Sequence, residues 1–77
     1  MPFDELKSIL VSMGLLEGEI TPEAIREEAG LDSLAVAELT LILRRDKGVP
    51  VSEEEIHGAL TLAEVAEVVN SRTASAR

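Results

Sequence analysis

Between Gly30 and Gly48, the residues Val36, Leu39, Thr40 and Leu43 recur at three- and four-residue intervals. That spacing puts them on one face of an α-helix and predicts a buried stripe. The punctuation agrees with it. Asp32 is placed to cap a helix starting at Ser33, and Gly48 to terminate one running to about Asp46. Leu34, Glu38, Leu41 and Arg45 fall on the opposite face. A surface helix has no structural need for two leucines there, so this face reads as a docking surface. Leu34 and Leu41 are its apolar anchors, Glu38 its carboxylate, and Arg44 and Arg45 its basic end.

The same periodicity organises the rest of the chain. Phe3, Leu6, Ile9, Leu10 and Met13 predict a first amphipathic helix ending near Gly14. Leu15 to Glu19 reads as loop, with Leu15, Leu16 and Ile20 turned back onto the bundle. Thr21-Pro22 is a helix start signal and predicts a short helix through Glu28, with Glu23, Glu27 and Glu28 solvated. Val49-Pro50-Val51 should cross in extended form, because Pro50 lacks a donor and biases Val49 away from helix. Ser52 with Glu55 forms a capping box opening a short helix through Ile56 or His57. Thr61 with Glu64 forms a second box, and Leu62, Val65, Ala66 and Val69 make the last helical stripe, expected to end near Asn70. Residues 71–77 read as a polar tail that frays, leaving 1–70 as the domain. The expected fold is all-α: a small bundle of three principal helices plus a short third helix.

Composition restricts what such a bundle can do. Seventy-seven residues make one domain with a small core, too small for a deep enclosed active site. Phe3 is the single aromatic, so that core is aliphatic. A net charge of −8 argues against nucleic acid, which needs a basic face, and fits recognition by basic patches on partners. With no cysteine, the chain has no thiol nucleophile of its own. No apolar run is long enough for a membrane span and no signal peptide is visible, so a cytoplasmic location is expected. No metal-ligand spacing, glycine-rich phosphate loop or nucleophile–base pair is present; His57, the only histidine, reads as a surface residue at a helix end.

Ser33 is the residue with chemical potential. At the first helical position its hydroxyl lies beside N–H groups that have no intrahelical acceptor, and a helix N-terminus favours negative charge by roughly 0.3–1 kcal/mol. A phosphodiester on Ser33 is compatible with that setting. Asp32 opposes it electrostatically, yet its carboxylate could orient Mg²⁺ or the hydroxyl in a transferring enzyme.

Gly30-Leu31-Asp32-Ser33-Leu34, followed by an apolar helix in an acidic chain of this length, resembles the acyl carrier protein family. The resemblance extends to the helix before the motif, the Val49-Pro50-Val51 stretch and the final helix. It implies that Ser33 carries 4′-phosphopantetheine, donated by coenzyme A, and that the thiol of this arm bears acyl groups as thioesters. It implies a carrier, not an enzyme, and a monomer. The implied partners are a phosphopantetheinyl transferase, an acyltransferase or acyl-loading ligase, a ketosynthase and tailoring enzymes, meeting a face of Asp32, Leu34, Glu38, Leu41, Arg44 and Arg45. Three departures separate the chain from the commonest fatty-acid pattern. Ala35 follows Asp-Ser-Leu where an acid is usual, Arg44 and Arg45 stand where acids are common, and Lys47 replaces an aromatic before Gly48. Ser33-Leu34-Ala35 is similar to discrete carriers of polyketide pathways, some of which also have arginine in this helix, so secondary metabolism is the expected setting. A fatty-acid carrier is one alternative. An unmodified helical adaptor, binding partners through Leu34 and Leu41, is another. Peptidyl carriers usually have Gly-Gly-(His/Asn)-Ser where this chain has Gly-Leu-Asp-Ser.

The charge distribution gives a first test. Residues 1–30 hold Asp4, Glu5, Glu17, Glu19, Glu23, Glu27 and Glu28 against Lys7 and Arg26. Screening their repulsion should stabilise the fold, so melting temperature should rise as salt goes from low to physiological. A fall in melting temperature over that range contradicts this.

Overall fold

A computed structural model of the chain describes residues 2–75, with side chains through Arg72. Among these residues the regular elements are α1 (Phe3–Ser12), α2 (Ser33–Asp46), α3 (Glu53–His57) and α4 (Leu62–Ser75), with a 3₁₀ turn at Glu17–Glu19. The three long helices and one short one make the expected all-α bundle. Helix α1 packs on α4, and α3 packs on both α2 and α4. No helix among the described residues is long and apolar enough to cross a membrane.

The core is built from the predicted stripes. Leu6, Ile9 and Leu10 come from α1, Val36, Leu39 and Leu43 from α2, Ile56 from α3, and Leu62, Val65, Ala66 and Val69 from α4; all are buried. Thr40 is buried with them, and its hydroxyl donates to the Val36 carbonyl at 2.8 Å, so no polar atom is stranded. Each fully buried aliphatic side chain contributes about 1.5–3 kcal/mol relative to exposure. Val49 and Val51 point into this core on either side of exposed Pro50. The segment is kinked as well as crossing, for the Val51 N–H returns to the Val49 carbonyl at 2.9 Å.

The long first connection departs from expectation. No helix forms over 21–28. Only one α-type bond closes there, from the Ala29 N–H to the Ile25 carbonyl. The reason is competition. The Pro22 and Ala24 carbonyls accept instead from the Ala63 and Leu62 N–H groups at 2.9 and 3.0 Å, and the Arg26 N–H donates to the Leu60 carbonyl at 2.8 Å. This connection (loop 1, residues 13–32) thereby satisfies the first two orphan donors of α4, and Ile25 bridges Thr61. Leu15 and Ile20 pack inward as expected, but Leu16 is 71% exposed. Leu16 is extended (φ −78, ψ 126), so it points away from the side that its neighbour Leu15 occupies.

Helix ends follow their caps. The Ser52–Glu55 capping box is complete in both directions. At α4 the Thr61 hydroxyl accepts from the Glu64 N–H at 3.2 Å, but the Glu64 carboxylate reaches the Leu60 N–H at 2.7 Å, one residue earlier than in a strict box. Helix α4 also continues five residues past its expected end at Asn70, so residues 71–75 are helical. Arg72 explains part of this extension. Its Nε meets Glu55 Oε2 at 2.6 Å and fastens the last turns of α4 to α3. Of the tail expected to fray, Ala76 and Arg77 lie outside the described residues.

The Arg72 hydrogen bond, seconded by the Ser52 N–H, holds the Glu55 carboxyl below its ordinary value of 4.5. A carboxylate with a lowered folded-state pKa contributes stability that is complete above its unfolded value and is lost as pH falls through the folded one. The difference in melting temperature between wild type and Glu55→Gln should therefore be constant above about pH 4.5 and shrink below it. A difference that is unchanged on acidification contradicts this pairing.

Candidate functional site

Gly30 sets the entry to α2. Its φ of +104° lies in the left-handed region, and a Cβ there would meet Leu15 Cγ at 3.4 Å. The Gly30 N–H bonds the Glu27 carbonyl and the Leu31 N–H bonds the Arg26 carbonyl, the two bonds of a Schellman closure. Leu31, fully buried, anchors the chain on the core side. Asp32 then turns out in extended conformation (φ −82, ψ −170), and its Oδ1 accepts from the Ala35 N–H at 3.0 Å. Ser33 is thus the first residue of α2 and is exposed.

The start of α2 is electrostatically open. Among the described residues nothing accepts from the Ser33 or Leu34 N–H, and the Ser33 hydroxyl makes no hydrogen bond. The contrast with α4 is direct, since loop carbonyls occupy that helix's first two donors. The hydroxyls of Ser12 and Ser52 are also engaged, one donating to the Ile9 carbonyl and the other accepting from the Glu55 N–H. A free, exposed hydroxyl beside two unclaimed N–H donors suits a covalently attached phosphodiester. Asp32 Oδ2 is left available beside it.

The six residues read as a partner face are all exposed and divide between two grooves. Asp32, Leu34 and Glu38 line a groove of about 430 Å³ with Met13, Leu15 and Leu16. Leu41, Arg44 and Arg45 line another of about 500 Å³ with Thr40 and Glu53, between α2 and α3. The exposed ridge between these grooves carries Leu34 (81% exposed) and Leu41 (54%). At the far end of α2 the bases divide. Lys47 Nζ pairs with Glu5 Oε2 at 3.1 Å and ties α2 to α1, whereas Arg45 meets only its neighbour Asp46, at 3.5 Å between exposed groups. Arg44 has no ion pair among the described residues. His57 is exposed at the end of α3.

Two features of this region were not read from the sequence. Leu16 adds an exposed leucine to the groove beside Leu34, and Arg26, which resembles an ordinary loop base, is buried. Leu16 sits among loop residues with no period to betray it. For Arg26 the only signal was its place between apolar Ile25 and Ala29 in a segment otherwise rich in acids.

Residues 4–69 match the family described as phosphopantetheine attachment site. Acyl carrier proteins of three Clostridium perfringens strains (SM101, ATCC 13124 and 13) are each 32% identical over 73 residues, covering 92% of this chain and 96% of the relative. No solved structure matches. The likeness spans the whole bundle, including the open start of α2, and the chain belongs to the acyl carrier protein family, whose members bear a covalent 4′-phosphopantetheine and are not themselves enzymes.

Proposed function

We propose that Ser33 is the attachment residue and that the chain carries acyl intermediates of a polyketide or related secondary-metabolite pathway. The observation that carries the first half is the free Ser33 hydroxyl at the open start of α2. In the modification, the Ser33 oxygen would attack the pantetheine-bearing phosphorus of the coenzyme A pyrophosphate. The bond to the bridging oxygen breaks, the nucleotide bisphosphate leaves, and the hydroxyl proton passes to a base of the transferase. Asp32 Oδ1 is committed to the cap, so Oδ2 is the oxygen free to orient the hydroxyl or a transferase Mg²⁺. Once attached, the arm supplies a terminal thiol for thioester formation. The protein's own contribution is to hold that arm at one end of a rigid helix and raise the substrate's effective concentration at each docked enzyme.

The second half rests on Ala35, Arg44, Arg45 and Lys47, which differ from the acids and aromatic usual in fatty-acid carriers. The transferase, the acyl-loading enzyme and the chain-extending and tailoring enzymes would read the ridge of Leu34, Glu38 and Leu41, with the two arginines at its far end. Arg44 and Arg45 lie roughly 17 Å along α2 from Ser33, within reach of an enzyme receiving the arm. Their exposure supports a role in recognition, because rim charges act chiefly on association rate and partner rejection.

Incubation with coenzyme A and a broad-specificity transferase should add one phosphopantetheine to wild type and none to Ser33→Ala. The variant should melt within about 0.5 kcal/mol of wild type, as expected for an exposed substitution. A modified Ser33→Ala protein overturns the assignment.

Arg44→Glu combined with Arg45→Glu should leave the fold and Ser33 modification nearly intact. Association with polyketide-pathway enzymes should slow by about tenfold, while use by fatty-acid enzymes improves. Unchanged kinetics with both enzyme sets removes the pair from recognition. Preference of wild type for the fatty-acid set establishes the other pathway.

A further inference from the structure

Arg26 is 7% exposed, and no carboxylate pairs with it among the described residues. Its charge is met by carbonyls. Nη1 donates to the Leu31 carbonyl at 2.6 Å and Nε to the Ala59 carbonyl at 3.1 Å. Its backbone is equally committed, since the N–H donates to the Leu60 carbonyl at 2.8 Å and the carbonyl accepts from the Leu31 N–H at 3.0 Å. Arg26 and Leu31 therefore bond each other twice, and the same arginine bonds two consecutive residues of the α3–α4 turn. Leu31 is the residue before Asp32 and two before Ser33.

We infer that Arg26 is a positioning residue for Ser33 modification. It clamps the entry to α2 against the α3–α4 turn and so fixes where the Ser33 hydroxyl stands. The proposal rests on Ser33 being the attachment residue. Hydrogen bonds from a guanidinium to carbonyls are charge-assisted and shorter than neutral ones, which suits a fixed joint. The planar fork also matters, because two donors on one rigid group set the spacing of both carbonyls, as a lysine ammonium cannot. Without the clamp, Leu31 keeps its buried side chain and Asp32 can still cap Ala35, but the peptide between them is free to rotate. Transfer to phosphorus requires the attacking oxygen in line, and a displacement of about 1 Å can cost about a hundredfold in rate. The docking ridge of Leu34 and Leu41 is not held by Arg26. Loss of the clamp should accordingly lower kcat for phosphopantetheine transfer and spare the KM for the carrier.

The test compares wild type, Arg26→Gln, Arg26→Lys and the core variant Val69→Ala as substrates of one transferase with coenzyme A. Each is assayed at the same margin below its own melting temperature, so that lost stability alone is matched by the core variant. Arg26→Gln should lose about tenfold in kcat with KM within about twofold, and Arg26→Lys should fall between it and wild type. Amide exchange of Ala35 should quicken in Arg26→Gln relative to α4 amides. An Arg26→Gln protein with the kcat of Val69→Ala overturns the proposal and shows Arg26 to be structural only. If Arg26→Gln does not fold, Arg26→Lys decides by the same kcat comparison. If neither folds, hydrogen exchange in wild type decides: Leu31 and Ala35 N–H groups opening together supports the clamp, and Ala35 opening independently overturns it. Failure of wild type to be modified at all is a different result, and refutes the Ser33 assignment instead.

Discussion

Helix α2 must bury one stripe while keeping its first turn in water, and the remainder of the bundle is arranged around that division. Val36, Leu39 and Leu43 are fully buried, and Thr40 joins them by bonding its own helix. Truncating a side chain such as Leu39 to alanine would cost about 2–5 kcal/mol, a large share of the stability of a domain this size. The stripe thus fixes the rotation of α2 about its axis. That rotation leaves Leu34 and Leu41 outside, and the entry loop leaves Ser33 exposed at the end. Core packing and the exposure of Ser33 are consequences of one helical register.

Loop 1 closes one end of the bundle by hydrogen bonds to α4 and to the turn before it. Its carbonyls take the first two donors of α4, and Arg26 ties it to the α3–α4 turn. The outcome is a marked difference between two helix starts. That of α4 is closed by backbone, whereas that of α2 leaves its first two donors unclaimed among the described residues. A negatively charged protein that must carry a phosphodiester benefits from such a local positive end, because the summed acids elsewhere repel the same group.

Much of this was legible in the residues. Period and caps placed α1, α2 and α3 within a residue or two, because amphipathic stripes, glycine closures and a capping box all agreed there. Asp32 as cap and Ser33 as first helical residue came from the same signals. What failed was non-local. Thr21-Pro22 is a sound start signal, but the carbonyls that would have sustained a helix were claimed by α4, which no local pattern reveals. Helix α4 runs past Asn70, where Arg72 bonds a partner 17 residues away in sequence. The six residues expected to meet partners are exposed, yet their division between two grooves depends on where loop 1 and α3 lie, and helical periodicity carries no information on that.

The open start of α2 leaves the Ser33 hydroxyl exposed and unbonded, and on this rests its proposed role as the attachment residue. Peptide-level mass spectrometry of the wild-type protein, after complete reaction with coenzyme A and a transferase, tests it most directly. Phosphopantetheine should appear on the peptide containing Asp32-Ser33-Leu34, localised to Ser33, with Ser8, Ser12, Ser52, Ser71 and Ser75 unmodified. Localisation to any of those other serines overturns the assignment.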